Sequence, residues 1–189
     1  APFYSVNNDL SPKDVILAIN SGFKQAENEF GIVSGLILCG MRHDPDNVKA
    51  VAELAIEHKE LIIGFDIAGP ELNYLPSMYK DSFLKVKNEG INITIHAGEG
   101  DGVHSIQEAL DNGAKRIGHG VRIIEDVGDN NELGSTADYI LQNNIPLEIC
   151  ITSNLHTNMY KSPQDHPISR LHNLGSVSYT HLRAHETQT

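Results

Sequence analysis

Apolar residues along this chain follow two periods, and the two alternate. Val15, Ile16, Ile19, Phe23 and Ala26 recur every three or four positions, which lays them on one face of a helix. Ser11-Pro12-Lys13-Asp14 marks the start of that helix, with a capping hydroxyl, a proline in the first turn and an acid three residues on. The helix is predicted to run to about Phe30, with Gly31 as its stop. Gly35-Leu36-Ile37-Leu38-Cys39-Gly40 is then continuously apolar, as a strand covered on both faces must be. The same unit repeats. Helices are expected over 46–59, 77–89, 105–112 and 131–144, and strands over 61–66, 92–96, 115–119 and 146–151.

Strands separated by single helices imply βα units and a parallel sheet. Two architectures satisfy that pattern, a doubly wound sheet and a (β/α)8 barrel. The first calls for a glycine-rich G-x-G-x-x-G turn after a strand, and Gly98-Glu99-Gly100-Asp101-Gly102 does not fit that frame. Polar residues instead close several strands: Arg42 with His43, Asp66, His96 with Glu99, His119, and Ser153 with Asn154. A ring of such residues at one end is how a barrel presents its chemistry. The fold expected is α/β, an incomplete (β/α)8 TIM barrel of roughly five parallel strands, because five strands do not close a barrel.

Composition narrows the function. With 14 Lys and Arg against 25 Asp and Glu, the formal net charge is −11, which disfavours a nucleic-acid partner. No apolar run approaches the roughly 20 residues of a membrane span, and the first residues carry no secretory pattern. A cytoplasmic protein with no nucleic-acid, membrane or protein partner is expected. Cys39 and Cys150, both in apolar runs, read as buried thiols rather than a disulfide.

Ile93-Thr94-Ile95-His96-Ala97-Gly98-Glu99-Gly100 concentrates the candidate chemistry. A β-branched run ends in an imidazole, with a carboxylate three residues on across a glycine. Arg116-Ile117-Gly118-His119-Gly120 delivers a second imidazole from the next strand. Taken singly, a histidine is most often a satisfied core residue and a loop glutamate a solvated acid. Taken together, a neutral imidazole at a barrel mouth can hold Zn2+, and a carboxylic acid in a secluded setting can pass a proton to a substrate. Asp66 to Glu71 offers a strand-end acid and, at Gly69, a backbone N–H that can face a substrate. Thr152-Ser153-Asn154 can bond a polar substrate or cap the next helix.

These motifs, with Cys39-Gly40-Met41-Arg42-His43 and the Glu148–Asn154 run followed by His166-Pro167-Ile168, occur in the order and spacing of a known family. The chain resembles the adenosine deaminases of the amidohydrolase-like barrel group, bacterial members more than animal ones, from about residue 1 to 175. The resemblance implies a zinc barrel that hydrolytically removes the 6-amino group of adenosine, in purine metabolism. It implies His96 as a metal ligand and Glu99 as proton donor to the purine ring nitrogen. His119 is then to orient or deprotonate the attacking water, and the backbone of Gly69 is to hold the purine. Adenine, another purine nucleoside or a nucleotide as substrate, or a non-catalytic barrel relative, are the competing readings.

The family's other zinc ligands, a His-x-His strand and a later aspartate, have no counterpart here. The expectation is therefore a central fragment, inactive alone, with a partial barrel domain over 1–175. Residues 176–189 do not match the family and read as a foreign or disordered tail, whose His181 and His185 are not counted as ligands.

Overall fold

The computed structural model describes residues 1–7, 9–176 and 178–180. The first long element is α1 (Pro12–Phe30), and its start is the capping box that the sequence implies. The Asp14 N–H donates to Ser11 Oγ at 3.2 Å and the Ser11 N–H donates to Asp14 Oδ2 at 3.0 Å. Then follow β1 (Ile37–Met41), α2 (Pro45–Glu57), β2 (Gly64–Ala68), α3 (Lys80–Asn88), β3 (Asn92–Ala97), α4 (Val103–Asp111) and β4 (Arg116–His119). The remainder is α5 (Ser135–Gln142), β5 (Leu147–Ile149), α6 (Ile151–His156), α7 (Ile168–Asn173) and β6 (Ser178–Thr180).

The strands form one six-stranded sheet in the order β1-β2-β3-β4-β5-β6, and every neighbouring pair is parallel. A doubly wound sheet reverses its strand order at a switch point. This sheet never does, so the described strands are an arc of an α/β barrel, as expected. Parallel strands must be covered on the helix side, and they are. Phe65, Ile67, Ile95, Ile117, Leu147 and Ile149 are fully buried, and α2, α3 and α4 contribute Val48, Val51, Phe83 and Ile106 to the same core.

Four sequence expectations change. The second strand starts three residues and ends two residues later than predicted, because Lys59–Leu61 forms a 3-10 turn, so Asp66 sits inside β2 rather than at its end. The strand predicted over 146–151 stops at Ile149, and Ser153 and Asn154 lie within α6 instead of ahead of it. Cys39 and Cys150 are half-buried rather than enclosed. A sixth strand, β6, extends the sheet beyond residue 175, where the sequence pattern showed none. His181 and His185 lie outside the described residues.

Phe65 and Phe83 meet edge to face with centroids 5.9 Å apart and define how α3 seats on β2. Phe65→Ala is expected to cost about 3–5 kcal/mol in denaturant unfolding; a loss below about 1 kcal/mol would contradict this packing.

Candidate active site

Parallel strands bring all their carboxyl ends to one rim, and the candidate residues meet there. His96 is the penultimate residue of β3, His119 the last of β4, and Gly69 follows β2 directly. Together with Glu71 and Glu99 they line one cleft of about 480 Å3, within the size range of small-molecule sites. The His96 and His119 rings lie 5.4 Å apart, inclined at 61°. All four residues singled out from the sequence therefore share a single cleft.

Strand register explains the closeness of the rings. His96 pairs with Gly118, and Ala97 with His119. A Cβ on residue 118 would lie 2.8 Å from Cγ and Nδ1 of His96, so the imidazole occupies space that only glycine leaves free. The backbone then turns sharply. His119 adopts φ +61°, a left-handed conformation that costs a non-glycine residue of order 1–3 kcal/mol and clusters at functional sites.

The two imidazoles sit in opposite electrostatic settings. Burial opposes the charged form of His96, but the Asp66 carboxylate, with Oδ2 2.8 Å from Nδ1, outweighs it. Asp66, assisted by Glu148, raises the His96 pKa to about 9. Burial, reinforced by the nearby charge of His96, lowers that of His119 to about 4. Glu99 reaches the end of β4 and the helix α6: its Oε2 is 3.5 Å from His119 Nε2, and Ser153 Oγ donates to its Oε1 at 3.4 Å.

Two residues without an assigned role in the sequence hold this arrangement. The Glu71 carboxylate is buried and accepts four successive backbone N–H bonds, from Gly98 (2.5 Å), Glu99 (3.0 Å), Gly100 (2.7 Å) and Asp101 (3.0 Å). That crown fixes the turn carrying Glu99. Arg42 is completely buried and its guanidinium donates to the His96 carbonyl and, at 3.4 Å, to that of Tyr74. Desolvation lowers the Arg42 pKa, while Glu71 and Asp66 favour its charged form. A third connection runs behind His119, from Asn154 Nδ2 to His119 Nδ1 at 3.3 Å and from His166 Nε2 to Asn154 Oδ1 at 3.1 Å. Ser153 and Asn154 thus serve the neighbours of the cleft, a use that neither sequence expectation for them included.

Among the described residues no group of three or more His, Cys, Asp or Glu side chains is arranged to hold a metal ion. His96 is nevertheless built like a single ligand. A carboxylate behind one ring nitrogen is the usual support for a histidine that binds metal through the other. No described helix is long and apolar enough to cross a membrane.

Fold and rim together define part of an α/β barrel whose ionisable residues gather at the carboxyl ends of its strands. Comparison with known proteins narrows the class. A family model described as adenosine deaminase matches residues 1–180. Adenosine deaminase 1 of Streptomyces coelicolor is 40% identical over 185 residues, which cover 92% of this chain and 46% of that protein. Adenosine deaminase of Clostridium acetobutylicum is 34% identical over 177 residues, covering 93% and 51% respectively. The chain belongs to the adenosine deaminase family, and it spans about half the length of the curated relatives it matches.

Two solved structures share the fold. Adenine deaminase from Arthrobacter aurescens superposes with a TM-score of 0.84 at 22% identity, over 95% of this chain and 53% of that one. An amidohydrolase from Burkhoderia ambifaria with bound Zn gives 0.77 at 22%, over 88% and 46%.

Removing the Glu71 acceptor should release the turn it crowns. In Glu71→Ala the amides of residues 98–101 are expected to exchange with solvent at least tenfold faster, while those of β3 stay protected. Unchanged exchange at the four amides would show that the turn holds itself.

Proposed function

We propose that the protein containing this chain deaminates adenosine hydrolytically, giving inosine and ammonia, as a zinc-dependent enzyme of cytoplasmic purine metabolism. The observation carrying this reading is the convergence of His96, Glu99 and His119 on one cleft in a member of this family. In this assignment His96 is a metal ligand, its ring oriented by Asp66. It contributes one ligand of the three or so that catalytic zinc requires, the others lying outside the described residues. Bound there, zinc would supply Lewis acidity and lower the pKa of a water molecule.

The remaining roles belong to side chains of the cleft. Glu99, held by the turn beneath it, donates a proton to the purine ring nitrogen, which makes the ring carbon more electrophilic. His119 positions the attacking water beside Glu99. The backbone N–H of Gly69, which lines the same cleft at φ +99°, bonds the purine edge. Residues 1–175 carry all of these groups, and the segment 176–189 supplies no ligand.

Adenosine is favoured over other purines by relatives of the chain: those with 34–40% identity are named adenosine deaminases, whereas the adenine deaminase neighbour at 22% speaks for the fold alone.

The full-length protein is expected to convert adenosine with a kcat/KM at least tenfold above adenine or AMP. Glu99→Gln should lower kcat by about 10²- to 10⁴-fold with metal content unchanged, and His96→Ala should lose metal and activity together. A Glu99→Gln enzyme with full kcat, or a purified wild-type protein without zinc, would defeat the assignment.

A further inference from the structure

We propose that Asn154 and His166 fix the tautomer of His119, placing its proton on Nε2 and making the ring a hydrogen-bond donor in the cleft rather than a base. The inference rests on the deaminase reading for its chemical meaning, and on hydrogen-bond direction alone for its substance.

The chain of bonds starts at a donor that cannot reverse. The backbone N–H of Ile168 donates to His166 Nδ1 at 3.2 Å. A ring nitrogen that accepts carries no proton, so His166 bears its proton on Nε2. That N–H donates to Asn154 Oδ1 at 3.1 Å. With its oxygen so engaged, the Asn154 amide presents Nδ2 to His119 Nδ1 at 3.3 Å and to Met159 Sδ at 3.5 Å. An amide nitrogen only donates, so His119 Nδ1 accepts, and the proton of the neutral ring is on Nε2.

Burial gives the direction its force. Asn154 is 0% exposed, His166 5% and His119 6%, so water does not compensate a reversed bond. Reversing any one link would set two donors or two acceptors face to face in a dry site. The remaining nitrogen, Nε2, is the one 3.5 Å from Glu99 Oε2. His119 therefore offers an N–H to an oxygen there, either the Glu99 carboxylate or a water beside it. It has no lone pair on that atom with which to take a proton. Of the two roles open to His119 in the deaminase, orienting the water and deprotonating it, the geometry selects the first. Asn154 and His166 are positioning residues that act through it.

The test reads the ring directly. In the full-length zinc-loaded protein labelled with 15N-histidine, His119 is expected to show a protonated Nε2 and an unprotonated Nδ1 at neutral pH. Asn154→Asp is nearly isosteric but presents two acceptor oxygens. It keeps the bond from His166 and obliges His119 to move its proton to Nδ1. The 15N pattern of His119 should invert, and kcat should fall about 10²- to 10⁴-fold with KM and zinc content little changed. A protonated Nδ1 in the unsubstituted protein overturns the tautomer assignment. An inverted pattern with undiminished kcat overturns the donor role. A correct 15N pattern in a protein that does not deaminate adenosine would instead refute the deaminase reading and leave the tautomer standing.

Discussion

The pairing of β3 with β4 is the constraint on which the site depends. Their register sets the His96 ring over a residue with no side chain and puts His119 one step further along the rim. A slip of one residue would send the His96 imidazole to the helix-covered face, since successive side chains on a strand alternate. His119, in the alternation of buried Ile117, reaches the cleft through its left-handed backbone. The buried β-branched residues Ile93 and Ile95 make that slip costly, because they would exchange places with Thr94 and His96. Hydrophobic burial on one side of the strand thus determines where the polar chemistry on the other side stands.

Upon that scaffold the rim separates two chemically identical side chains by their surroundings. Asp66 draws His96 toward the charged form or, equally, toward a cation on its free nitrogen. His119, buried and facing an amide donor, remains neutral. Environments that push like groups apart are the usual mark of divided labour in a site. The supports differ as well. His96 is held by a carboxylate behind it and by Arg42 beneath its carbonyl, Glu99 by the amide crown on Glu71, and His119 by the amide of Asn154.

Much of this was legible in the sequence where periodicity was long and unambiguous. The apolar and β-branched runs gave strands one to three, and the capping box at Ser11 with Gly31 gave both ends of α1, because each rests on local chemistry. The strand-end histidines were legible for the same reason: an imidazole closing a β-branched run has one destination in a parallel sheet. Elements settled by neighbours were not. Ile151 looks like strand and becomes the first residue of α6, since the rim demands a turn there. Ser178–Thr180 is too short and polar to announce itself, and pairs because β5 offers it a free edge. Glu71 could not be assigned from its own surroundings in sequence, because the four N–H groups it accepts belong to a turn 27 to 30 residues away. Asn154 and His166 likewise acquire meaning only once the fold sets them behind His119.

The strictly sequential strand order has one more implication. Each described strand is bonded only to the ones made just before and just after it, so every closure within this arc spans a single βα unit. Short closures carry the smallest entropic penalty and the fastest formation. During synthesis β1 and β2 can therefore dock under α2 before His96, Glu99 and His119 have left the ribosome, and those side chains are added to a wall already standing.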